Sequence, residues 1–165
     1  MLGKIKVKKF NPAENEFSLK LKDCIWATRE QDILEHWDMK GVLFDVTNQV
    51  FKFDVKGIKR DTRHGNFNPK IVWTEARNVR GHKGWLYGKA DYISFEKPQQ
   101  FVVVGRVKLL EFMRRKIAEN NNEIVCTPQE ALYKIYTRKD RQDKISKALM
   151  SDMEAISEWI VNKHE

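Results

Sequence analysis

Apolar and polar residues alternate in two neighbouring runs, Val42-Leu43-Phe44-Asp45-Val46 and Val50-Phe51-Lys52-Phe53-Asp54-Val55-Lys56. A period of two is the signature of strands. Thr47-Asn48-Gln49 between them predicts a hairpin loop. Gly65, Asn66, Asn68 and Pro69 then mark a loop, and Ile71 to Val79 has the composition of a third strand. Gly81 to Gly88 is a glycine-punctuated turn. Ala90 to Phe95 and Phe101 to Val104 predict two further strands, the second wholly apolar as a central strand is.

Helical signals bracket these runs. Asn11-Pro12 combines a capping side chain with proline at the first helical position. Glu14 and Glu16 suit the positive end of the dipole, and this helix is expected to reach about Lys22. Cys24 to Trp37 reads as a second short helix, and the first nine residues as a strand or a frayed arm. Val107, Leu110, Phe112-Met113 and Ile117 recur at helical spacing. Thr127-Pro128 with Glu130 is another helix entry. Ile145, Leu149, Met153, Ile156 and Ile160 predict an amphipathic helix over Asp140 to Lys163. The sum is an α+β domain, a mixed sheet of four to five strands flanked by helices and ending in a helical C-terminus. With 165 residues, one domain is expected, its core about 12–120 and its helical extension about 127–163.

Charge narrows the choice of partner. There are 31 Lys and Arg against 23 Asp and Glu, a net charge of +8, which favours a polyanion such as nucleic acid. No apolar run approaches the ~18 residues of a membrane span, and Met1 to Lys6 lacks a signal-peptide stretch. Cys24 and Cys126 sit in no zinc-ligand spacing and read as reduced thiols of a cytoplasmic protein.

The second strand of the hairpin turns Phe51, Phe53 and Val55 to one face and Lys52, Asp54 and Lys56 to the other. Asp54 and Lys56 then project side by side, about 7 Å apart at a rise of ~3.3 Å per residue. With Asn48 at the centre of the loop, Val42 opposes Asp54, and Asp38 projects towards Asp54 and Lys56 from the strand entry. Two carboxylates and a lysine on one face can hold Mg²⁺ or Mn²⁺ and orient a water for attack on a phosphodiester. An exposed strand face with alternating charges is the ordinary alternative.

The order His36-Trp37-Asp38, hairpin, Phe53-Asp54-Val55-Lys56-Gly57 resembles the PD-(D/E)XK nuclease superfamily, the restriction-endonuclease-like fold, over roughly residues 12–120. Trp37 stands where the family has proline, and Asp54 where glutamate is commoner. The resemblance implies a metal-dependent DNA endonuclease, with RNA left open as substrate. Asp38 and Asp54 would be metal ligands and Lys56 would position the water, leaving a 5′-phosphate and a 3′-hydroxyl. Members often add an acid from the first helix, for which Glu16 is the candidate and Glu14, Asp32 and Glu35 the rivals. Small size points to a structure-selective or accessory nuclease of phage or DNA-repair type. Homodimers are common among such domains.

Glu75, on the strand after the hairpin, either reaches this site or pairs with Arg77. Lys59, Arg60, Arg63 and His64 form a basic cluster just after Lys56, and Arg77, Arg80, Lys83 and Trp85 a second one. Both suit a phosphate backbone, and Trp85 could stack on an unpaired base or pack back on the sheet. Tyr133, Tyr136, Arg138 and Arg141 read as helix packing rather than a phosphate clamp. A His-metal site on His64 and His82 ranks low. Two further readings stand beside the nuclease: a non-catalytic nucleic-acid-binding module on the same fold, and a basic domain that contacts an acidic protein.

Overall fold

The structure is a computed structural model, and it describes residues 11–164. The expectation for the first nine residues lies outside the described residues. Asn11 caps α1 (Pro12–Ser18) by accepting the Glu14 N–H, with proline at the first position as the sequence predicts. The helix stops four residues short of Lys22, because Leu21 begins a strand, β1 (Leu21–Trp26). Cys24 therefore lies in a strand, and α2 occupies only Arg29–Glu35. A capping box between Thr28 and Gln31 starts α2.

β2 (Met39–Leu43) and β3 (Val50–Lys56) form the expected hairpin, and β4 (Ile71–Arg77) follows. A short 3-10 turn (Trp85–Tyr87) leads to β5 (Tyr92–Glu96), β6 (Gln100–Gly105) and α3 (Arg106–Glu119). The remainder contains β7 (Ile124–Val125), β8 (Ile135–Tyr136), β9 (Lys144–Leu149), α4 (Met150–Ile156) and β10 (Trp159–Asn162). The class is α+β.

Among the described residues the central sheet has six strands rather than four or five, in the order β1-β2-β3-β5-β6-β10. It is mixed, because β3 and β5 run parallel while its other pairs are antiparallel. The expected helix over Asp140 to Lys163 survives only as α4, which carries Met153 and Ile156 of the apolar stripe. Ile145 and Leu149 lie on β9, which pairs with β4, and Ile160 lies on β10, which pairs with β6. Both strands complete sheet edges made far earlier in the chain, and the hydrogen bonds of those ladders outweigh a local helical spacing. β4, β9, β8 and β7 make a second sheet of four strands.

Apolar residues cover both faces of the central sheet. Phe53, Val55, Phe101 and Val103 pack against Ala13 and Phe17 of α1 on one side. On the other, Trp37, Ile93, Phe95 and Val102 join Val72 and Ala148 of the second sheet with Leu109, Met113 and Met153 of the helices. Burying such side chains contributes roughly 1.5–3 kcal/mol each. The hairpin lies between these two cores, so the polar face of β3 points towards the second sheet.

Candidate functional site

β2 and β3 pair with Met39 opposite Phe53 and Val42 opposite Val50. The connecting turn spans residues 44–49, longer than the three-residue loop expected, with Asp45 in the left-handed region at φ 55°. Val42 therefore does not oppose Asp54. The shift is an even number of residues, so every side chain keeps its face. One step beyond Met39 and Phe53, the register sets Asp38 opposite Asp54. Asp38 donates its N–H to the Phe53 carbonyl at 2.8 Å, and its Oδ2 accepts the Val55 N–H at 2.7 Å.

Both acids are buried, Asp38 at 5% and Asp54 at 3% exposure. Asp54 Oδ1 holds Lys56 Nζ at 2.7 Å. Asp54 Oδ2 is buried with no hydrogen-bond donor among the described residues. Desolvation, and then the charge of Asp54, push the Asp38 carboxyl up to about 7, so a proton is available for the two carboxylates to share. Burial opposes the Lys56 charge, but Asp54 and then Asp38 and Glu75 outweigh it and hold the ammonium above its ordinary pKa. The lysine lies 4.8 Å over the Trp85 ring.

Glu14, Asp32, His36 and Lys59 join Asp38, Asp54 and Lys56 around a pocket of about 200 Å³. Glu14 is the α1 acid here, fixed by Asn11 Nδ2 at 2.7 Å. Glu16 is a correction. Two helical residues rotate a side chain by about 200°, which carries Glu16 away to Lys163 at 3.2 Å. Glu35 also lies outside the pocket. It accepts the Trp37 indole N–H at 2.7 Å and stands 3.8 Å from Lys52 and 3.6 Å from Lys89. The indole hydrogen bond, aided by these lysines, holds its carboxyl below the usual range.

Among the described residues no three His, Cys, Asp or Glu side chains already converge on one metal position. Mg²⁺ asks for less, because it keeps several waters and is commonly held by one or two carboxylates. Asp38 and Asp54 supply such a pair. The orphaned Asp54 oxygen and the mutual repulsion of the two charges are what a divalent cation relieves. The residues present fit that group.

Lys56, Gly57 and Lys59 also line a second, larger cavity of about 990 Å³. Arg60, Arg63 and Glu75 lie on its wall. Trp85 is a correction to the proposed stacking role. It is 8% exposed and meets Phe95 at 6.3 Å between ring centroids. A side chain on Gly84 would collide with the Glu75 carbonyl, so glycine allows the turn to press Trp85 beneath Lys56. Arg77, Arg80 and Lys83 are exposed but line neither cavity.

Comparison with family models, curated proteins and solved structures finds no match. No helix among the described residues is long and apolar enough to cross a membrane.

Arg138, Lys139 and Arg141 face the large cavity rather than a helix junction, since the segment around them is strand and loop. Their basic run is visible in the sequence, but only the pairing of β8 with β9 brings it opposite Lys59 to Arg63. Tyr133 does have a packing role: it is buried, donates its hydroxyl proton to Asp152 and accepts the Leu149 N–H at 3.0 Å.

Proposed function

We propose that the chain is a divalent-metal-dependent DNA endonuclease of the PD-(D/E)XK type. One observation carries this reading. Two buried carboxylates, Asp38 and Asp54, face each other across a hairpin, with Lys56 in contact, where a small acidic pocket adjoins a basic groove. Two adjacent buried acids are costly to maintain, and the Val55 N–H and Lys56 compensate them only in part, so their placement suits a cation. A bound Mg²⁺ or Mn²⁺ would neutralise charge on the phosphodiester and lower the pKa of water.

Within this reading Asp38 and Asp54 hold the cation, and Glu14 on the pocket wall orients its water shell. Lys56 is held close by Asp54 and the Trp85 ring, where it can position the attacking water or stabilise the negative charge that develops. Lys59, Arg60 and Arg63 guide the phosphate backbone towards it.

A plasmid-nicking assay with Mg²⁺ or Mn²⁺ tests the proposal. Cleavage is expected from the wild type and is lost in Asp54→Asn and in Lys56→Ala, with circular dichroism unchanged. Cleavage that survives both substitutions refutes the site. Salt-sensitive DNA binding without cleavage by the wild type favours a non-catalytic module instead.

A further inference from the structure

We infer that the large groove beside Lys56 is a binding site for single-stranded DNA, whose unpaired bases stack on the aromatic side chains of its wall and rim. The inference rests on the nuclease reading for the choice of DNA and for the consequence of binding, though not for the binding of a single strand itself. Seven of the residues lining the groove are Lys or Arg and three are Asp or Glu, so its wall is basic although it adjoins an acidic pocket. The cations come from two distant stretches of chain. Lys59, Arg60 and Arg63 follow β3, and Arg138, Lys139 and Arg141 follow β8. A polyanion lying between them would be contacted from both sides.

The aromatic residues make the choice of strand. Trp73 and Tyr136 lie 6.0 Å apart between ring centroids on the groove wall, and Phe67 lies at its rim, 62% exposed, with Arg60 4.8 Å over its ring. Aromatic faces beside cations stack on bases that are free of partners, and every base has such a face. In a duplex those faces are already stacked on one another and are closed to the protein. The volume of about 990 Å³ points the same way. It lies at the upper end of the ~300–1,000 Å³ typical of pockets for small molecules, enough to take an unpaired nucleotide or two.

The groove is also held ready. The Trp73 indole donates to the Arg60 carbonyl at 2.9 Å, which ties the first basic loop to β4. Lys147 bridges to Asp61 at 2.7 Å and sits 5.6 Å from the Trp73 ring. The buried Asp143 accepts from both the backbone N–H and the side chain of Arg138, which fixes the second loop. Walls fixed in advance lose less entropy when a strand binds.

Fluorescence anisotropy with a labelled oligothymidylate, in EDTA so that nothing is cut, tests this directly. Phe67, Lys139 and Arg141 are exposed, so their substitution should spare the fold. Phe67→Ala is expected to weaken binding about tenfold, within the range for one lost base stack. Lys139→Ala with Arg141→Ala is expected to lower the salt slope by about 1.4, at ~0.7 per phosphate contact on a single strand. A blunt duplex of equal length should bind more weakly. Wild-type affinity in both variants, or equal affinity for the duplex, overturns the inference, and tighter binding of an RNA oligomer overturns the choice of DNA. Binding in EDTA with no cleavage under Mg²⁺ or Mn²⁺ leaves the groove assignment standing and ends the nuclease reading. Cleavage that is indifferent to both groove variants does the reverse.

Discussion

Asp38→Asn should stabilise the metal-free protein at alkaline pH. Asp38 is buried, and its carboxyl titrates at about 7 rather than at the ordinary 3.8. The native state therefore holds a proton that the unfolded chain has already lost between those values, and its stability falls as pH rises from about 4 to about 7. At ~1.36 kcal/mol per pKa unit, the cost above pH 7 of a pair whose shared proton is held up to about 7 is on the order of a few kcal/mol. Asparagine removes that cost. Its carbonyl still accepts the Val55 N–H, and its amide can donate to the orphaned Asp54 Oδ2. The gain at pH 8 should reach a few kcal/mol, at ~2–4 °C of Tm per kcal/mol for a chain of this size. Urea unfolding followed by tryptophan fluorescence, in EDTA at half-unit pH steps from 4 to 8.5, measures it. Wild type and variant should coincide near pH 4 and diverge towards pH 7. Millimolar Mg²⁺ at pH 8 should then stabilise the wild type, by about 2.7 kcal/mol at a hundredfold excess over Kd, and leave the variant unchanged. Parallel curves across the whole range, or a variant less stable at pH 8, would refute the reasoning.

Trp85→Leu should cost roughly 3 kcal/mol of stability, because the ring is buried beneath Lys56 and against Phe95; thermal unfolding decides it, and a variant that loses only DNA affinity contradicts the packing. Glu14→Gln should weaken Mn²⁺ binding about tenfold in a calorimetric titration, as loss of a residue behind the ligands does. Glu16→Gln should leave that affinity unchanged, since Glu16 pairs with Lys163, and equal effects of the two would reject the assignment of α1's faces.

Local chemistry determined much of this protein. The alternation in Val50 to Lys56 sets Asp54 and Lys56 on one face of β3, and Asn11-Pro12 starts α1 whatever surrounds it. The parity of the hairpin is equally local, so Asp38 shared a face with Asp54 even though the turn is longer than its sequence predicts. Long-range pairing decided the rest. β9 and β10 are strands because β4 and β6 offered edges that had to be completed, although the same apolar spacing would serve a helix in isolation. Where α1 sits against the sheet decided that Glu14 and not Glu16 meets the acidic pair. The second sheet turned Arg138, Lys139 and Arg141 into a wall of the groove and folded Trp85 under Lys56. Spacing along the chain fixes direction within an element, whereas convergence between elements depends on how their faces are buried. The two acids are therefore legible as a pair in the sequence, while the basic groove beside them exists only in the packed structure.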